Sequence, residues 1–294
     1  MRVLAIAISF CTSVVFAASS VRATDSNAPY DTSRILSIGG SVTEVLYALE
    51  AADRIVAVDT TSQYPSDALK RNKSVGYMRA LSAEGVLSVT PSLILASDSA
   101  GPAETVRALK AASVPYVTIP DDPTPAGVEK KVTTIAKAIG AGAKGKALAA
   151  SIARGFTMLE LERARVRQPR KVLFVLNAAG GRMIVGGADT SADAIIRLAG
   201  GENAAAKING FKPIPAESLV AMNPDAILVM KGGRGGGHDS SGLRSLPVVK
   251  STAAGATGRI RDIDGLYLLG FGPRTPDAAR DVMAWLYPEL ELQQ

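Results

Sequence analysis

Few side chains in this sequence could drive a reaction. The 294 residues include one histidine, His238, and one cysteine, Cys11. A Ser-His-Asp or Cys-His engine would have to be built on His238. That residue lies in the glycine-rich run Lys231-Gly-Gly-Arg234-Gly-Gly-Gly-His238-Asp239, a setting that suits an exposed loop position as well. A single histidine cannot make a His-rich zinc or manganese site. No Gly-x-Ser-x-Gly or His-Glu-x-x-His is present. Gly140-Ala-Gly142-Ala-Lys-Gly145 matches the dinucleotide fingerprint as text, and the stretch to Lys146 nearly completes a phosphate loop, with Ala147 where the Mg²⁺-binding Ser or Thr should stand. Both motifs need a strand in front of them. Here Val132–Ile139 has helical periodicity, so the glycines read as a helix end and a turn. The expected role is to hold a ligand, not to transform one, and the chain is not expected to be an enzyme.

The N-terminus indicates where the ligand is held. Met1-Arg2 is followed by an apolar run to Ala18 and by Ser19-Ser20-Val21-Arg22-Ala23, the pattern of a secretory signal over residues 1–23, with Ala23 and Ala18 both suited to cleavage. The run is shorter than the roughly 20 residues of a membrane-spanning helix. Cys11 lies inside it, without the Leu and small residues that precede a lipidated cysteine. The mature chain is therefore expected to be periplasmic, soluble and cysteine-free, with neither disulfides nor thiolate metal sites. The formal charge of +6 falls to +4 once Arg2 and Arg22 are removed. The basic residues are scattered and aromatics make up 5% of the chain, which argues against nucleic acid as a partner.

About 270 mature residues are long for one core and favour two domains. Strand patterns at Arg34–Ile38, Ile55–Asp59, Leu93–Ala96 and Tyr116–Ile119 alternate with helical ones at Thr43–Leu49, Ala103–Ala112 and Thr124–Ile139. In the second half Lys171–Leu176 and Ala226–Met230 read as strands, and Ser191–Leu198 and Thr275–Leu286 as helices. Alternation of this kind predicts parallel α/β sheets covered by helices. Between the halves, Ala143–Val166 is rich in Ala, Leu, Lys, Glu and Arg, lacks Pro, and reads as a strut of about 30 Å. The halves also repeat. Glu84-Gly-Val-Leu-Ser-Val-Thr-Pro91-Ser-Leu-Ile94-Leu95 and Glu217-Ser-Leu-Val-Ala-Met-Asn-Pro224-Asp-Ala-Ile227-Leu228 place Glu, Pro, Ile and Leu at identical offsets. The expected architecture is α/β: a lobe over 24–142, a linker helix over 143–167 and a similar lobe over 168–294. Two like lobes leave a cleft between them, a favoured place for ligands.

Val75-Gly-Tyr77-Met-Arg79-Ala-Leu-Ser-Ala-Glu84-Gly-Val-Leu-Ser and Leu268-Leu-Gly-Phe-Gly-Pro-Arg274-Thr-Pro resemble the periplasmic haem (hemin)-binding proteins of bacterial ABC transporters. These are a branch of the helix-linked, class III substrate-binding proteins, which also serve cobalamin and ferric siderophores. The resemblance covers the mature chain. It implies that Tyr77 is the axial ligand to ferric haem iron. Phenolate is a hard anion suited to Fe(III), and tyrosinate is an established haem ligand. Tyrosine in water ionises only near pH ~10, so a nearby cation is needed to favour the anion. Arg79 can supply that cation or pair with a haem propionate. The resemblance further implies an arginine from the second lobe at the cofactor, with Arg234 as first candidate and Arg274 as second. Relatives that hold two haems use a histidine where this chain has Asn177-Ala178-Ala179-Gly180, which implies one haem here. Glu84 and Glu217 resemble the glutamates that dock on arginines of a permease dimer in the inner membrane. The implied function is uptake of haem as a monomer, with an outer-membrane haem transporter as donor and an ABC importer as acceptor; a ferric siderophore or a corrinoid is the alternative cargo.

Overall fold

The computed structural model describes residues 28–179, 182–231 and 240–292. The signal segment 1–23, Arg234 and His238 lie outside them. In chain order the first half contains β1 (Ile35–Ile38), α1 (Gly40–Ala48), β2 (Ile55–Val58), α2 (Ala68–Arg71), β3 (Lys73–Ser74), α3 (Ala83–Leu87), β4 (Leu93–Ser97), α4 (Ala103–Ala111), β5 (Tyr116–Ile119) and α5 (Pro125–Ala138). Then come α6 (Gly142–Arg163), β6 (Lys171–Ala179), β7 (Arg182–Gly186), α7 (Ser191–Leu198), β8 (Glu202–Asn203), β9 (Phe211–Pro215), α8 (Ser218–Met222) and β10 (Ala226–Lys231). The chain closes with α9 (Ser240–Ser245), α10 (Pro247–Lys250), α11 (Ala253–Ala256), β11 (Ile260–Asp264), α12 (Gly265–Leu269) and α13 (Thr275–Leu286).

The strands form two sheets, in the order β3-β2-β1-β4-β5 and β11-β10-β6-β7-β9, with β8 attached to β6. Every pairing in the first sheet is parallel. β1 and β4 are buried along their whole length, as strands covered on both faces must be. Read from opposite ends the two orders superpose: β5 matches β11, β4 matches β10 and β1 matches β6. The repeat seen in the sequence is thus a repeat of folded lobes.

The second sheet departs from the parallel expectation. β6 pairs antiparallel with β7, and β7 antiparallel with β9. Only residues 180 and 181 separate β6 from β7, a connection too short for the crossover that parallel strands require. The prolines at 213 and 215 are tolerated because β9 lies at the sheet edge.

The strut is shorter than expected. α6 stops at Arg163, and Arg165 and Val166 fold back through bonds to the carbonyls of Glu162 and Arg163, which packs Val166 against the core. α6 lies against α5 on one side and α13 on the other. Its glycines mark the crossings: a Cβ on Gly145 would come within 2.3 Å of Ala136 Cβ, and one on Gly155 within 2.9 Å of Pro276 Cβ. One apolar cluster consequently runs from the first sheet through α5, α6 and α13 to Phe174 of the second. The Glu162 carboxylate, nearly buried on α6, accepts from Arg280 Nε at 3.0 Å on α13. Among the described residues no helix is long and apolar enough to cross a membrane.

Candidate ligand cleft

The loops that matter leave the C-terminal ends of the strands, the edge at which open α/β sheets bind ligands. Behind β2, the buried Asp59 carboxylate organises that edge. It accepts from Gly39 N at 2.7 Å, from Thr61 N at 2.9 Å and from Thr61 Oγ1 at 2.7 Å. A carboxylate satisfied by several donors at strand ends fixes both the β1–α1 turn and its own loop. Thr60 N in turn donates to Gly76 O at 2.9 Å, which ties the segment after β3 to the same scaffold.

Tyr77 belongs to that tied segment. Gly76 before it has φ +91°, a conformation glycine adopts without strain. The Tyr77 carbonyl accepts from Ala80 N at 2.8 Å, and Gly101 N bonds Met78 O at 2.8 Å, so the turn is braced from two sides. Tyr77 is half-buried and packs against the apolar cluster that includes Leu36, Ile94 and Leu109 among its members. Arg79 is exposed, and its Nη1 donates to Tyr77 Oη at 3.4 Å. The two residues expected to act together at a ligand are thus brought together.

Arg274 is engaged elsewhere. Its Nε and Nη2 bond the two carboxylate oxygens of Glu44 at 3.0 and 2.8 Å, and its backbone N adds a third contact at 3.2 Å. Glu44 is on α1 of the first lobe, so this fork spans the lobes. Burial opposes the charge on Arg274, but the Glu44 carboxylate outweighs it and holds the guanidinium above its ordinary range. The same guanidinium lies 3.5 Å from the centre of the Tyr64 ring and 5.0 Å from that of Tyr267. Tyr267 donates to Asp281 at 2.9 Å; burial first, and that carboxylate second, push its phenol well above the usual range. Gln63, Tyr64, Asp264, Tyr267 and Arg274, contributed by both lobes, line a hollow of about 290 Å³. A larger open hollow of about 1030 Å³, beside Arg165, Arg170 and Tyr287, lies at the opposite ends of the strands and contains none of these residues.

A second cross-lobe contact is made by Lys131, which is 1% exposed on α5. Its Nζ donates to Ser41 Oγ at 3.0 Å and Asp121 Oδ1 at 2.8 Å in the first lobe. It also reaches the carbonyls of Gly270 and Phe271 in the second, at 3.1 and 2.9 Å. The lobes close tightly here: a Cβ on Gly40 would lie 2.3 Å from Thr61 O and 2.7 Å from Leu266 Cδ1.

Glu84 and Glu217 occupy equivalent places. Glu84 is in the first turn of α3, whose N-cap Ser82 accepts from Gly85 N; Glu217 is the residue before α8. Both are exposed. Each five-residue helix is followed by a left-handed residue, Thr90 at φ +46° and Asn223 at φ +38°, then by proline and a central strand. β9 runs parallel to β6, so Glu217, two residues beyond its end, lies at the same sheet edge as the cleft loops.

Residues 35–266 match the family described as Periplasmic binding protein. The chain belongs to that family. A solved structure of the periplasmic heme-binding protein BhuT in complex with two hemes is 40% identical and superposes with a TM-score of 0.80, over 87% of this chain and 98% of that one. The uncharacterized ABC transporter substrate-binding lipoprotein YvrC of Bacillus subtilis is 28% identical over 261 residues, 87% of this chain and 80% of its own length. A vitamin B12-binding protein of Vibrio parahaemolyticus is 30% identical over 82 residues, 28% of this chain and 30% of its own. Such periplasmic binding proteins are components of transport, and the two-lobed, helix-linked architecture is theirs.

Sequence reasoning missed Glu44, Lys131, Tyr64 and Tyr267 in this binding protein. Lys131 did leave a signal. With Val128, Val132 and Ile135 it falls on the apolar stripe of α5, where a charge must find internal partners. Glu44 is the only acid within α1 and is 4% exposed, a similar signal.

Proposed function

We propose that this periplasmic binding protein takes up ferric haem in the interlobe cleft and delivers it to the permease of an ABC importer. The observation that carries the reading is the braced turn Gly76–Arg79. It sets a phenol beside a guanidinium at the ligand-binding edge of the first sheet, in a chain 40% identical to a heme-binding protein. Phenolate oxygen suits ferric iron, Arg79 stands beside it, and the fixed turn presents it without reorganisation. In this reading Arg234 is the first candidate for the second-lobe arginine at a propionate, and Arg274, with Nε and Nη2 held by Glu44, is the second. Export rests on the signal over residues 1–23, and the protein acts as a monomer.

The deciding experiment is hemin titration of the purified mature chain. Uptake is expected at one equivalent with the charge-transfer band of high-spin ferric tyrosinate haem, unaffected by excess cyanocobalamin or ferric siderophore. Saturation at two equivalents would overturn the single-haem stoichiometry, and displacement by cobalamin would overturn the cargo.

Glu84 and Glu217 are the docking charges in this reading, one on each pseudo-equivalent helix, matched to a two-fold permease. Glu84→Ala and Glu217→Ala should each weaken binding to the permease on the order of tenfold, while hemin uptake stays intact. The sites lie on different lobes, so the losses should add in the double variant. Transport assays in proteoliposomes read this directly, and undiminished transport by the double variant would remove both residues from the interface.

A further inference from the structure

Tyr64 is unusual among the large apolar side chains of this protein. It lines the interlobe hollow and yet is 43% exposed. An exposed ring on a loop ordinarily samples several rotamers, but this one has the Arg274 guanidinium over its face, 3.5 Å from its centre. Arg274 in turn cannot move freely. Its Nε and Nη2 are held by the buried Glu44 carboxylate, and Tyr267 lies against it at 5.0 Å. Gly272 leaves room for that carboxylate, since a Cβ there would sit 3.2 Å from Glu44 Cδ. A buried acid in one lobe thus sets an arginine of the other, and the arginine sets an aromatic face at the ligand-binding edge. That ring has lost its conformational freedom before any ligand arrives, the condition under which an aromatic contact adds most to affinity. The loop that carries it is the one bonded to Gly76, one residue from Tyr77.

We propose that Tyr64 is the stacking contact for the porphyrin plane of the cargo, and that Arg274, pinned by Glu44, is the positioning residue that holds its ring. The proposal rests on the haem reading above and assigns a different part of the ligand. Tyr77 meets the iron, and Tyr64 meets the conjugated macrocycle whether or not iron is present.

Iron-free protoporphyrin IX separates the two roles. Its binding to the full mature chain, followed by quenching of Trp285, should weaken roughly five- to tenfold in Tyr64→Ala, the range expected for one aromatic stack. Tyr64→Phe should retain parent affinity, because it keeps the ring. Arg274→Lys keeps the charge but loses the flat fork; it should weaken porphyrin binding in the parent and add little in the Tyr64→Ala background. A purely structural role for Arg274 would instead give equal losses in both backgrounds. If Tyr64→Ala binds the porphyrin within twofold of a parent that itself takes up hemin, the stacking assignment fails and the haem reading stands. If the parent takes up neither ligand, both fail.

Discussion

Tyr77→Phe should abolish the tyrosinate charge-transfer band of the hemin complex and weaken hemin binding by more than about 100-fold. Loss of a group that merely orients a metal ligand costs about 10- to 100-fold, so loss of the ligand atom itself should exceed that range, or about 3 kcal/mol. The substitution is suited to the question because it leaves the fold alone. The ring packs on the apolar cluster beneath the first sheet and keeps that packing as phenylalanine, and the turn is held by backbone bonds from Ala80 and Gly101. What disappears is the oxygen and its contact with Arg79 Nη1. Thermal unfolding of the unliganded variant should match the parent. Hemin binding with an unchanged spectrum would place the iron on another residue.

Much of the frame was legible because local patterns and the larger fold agree. Tyr116–Ile119, Ser191–Leu198 and Thr275–Leu286 form the elements expected, with the expected bounds. The repeat led by Glu84 and Glu217 reappears as two helices with matching left-handed exits before Pro91 and Pro224. Local patterning gave no reading of β7 and β9, whose direction depends on a two-residue connection and whose edge position admits prolines. The cross-lobe contacts were hidden for a different reason. Glu44 and Arg274 are 230 residues apart in the chain, and Lys131 is 139 residues from Gly270. A charge on an apolar stripe announces that it has partners, but only the packed lobes show which.

The second large effect concerns stability. Lys131→Met should destabilise the protein by about 3 kcal/mol, because removing one member of a buried charge pair strands the rest. Methionine nearly fills the volume, so the loss reports on the polar contacts and not on a cavity. Asp121 is one-third exposed and can recruit water, which keeps the expected loss at the lower end of the range. The carbonyls of Gly270 and Phe271 are less easily rescued. Phe271 is 2% exposed and held at φ +46°, a left-handed conformation that a bulky residue adopts only when its surroundings impose it. Lys131 Nζ, at 2.9 Å from the Phe271 carbonyl, is part of that imposition. Without it the 270–274 loop should relax and release Arg274 from Glu44, so the seam between the lobes loosens at both of its charged contacts. A melting temperature lower by roughly 5 °C is expected for a chain of this size, with Asp121→Asn showing a smaller decrease. Were Lys131→Met to melt with the parent, the apolar cluster and the Glu44–Arg274 fork would suffice to hold the lobes, and the lysine would be a buried charge without a structural task.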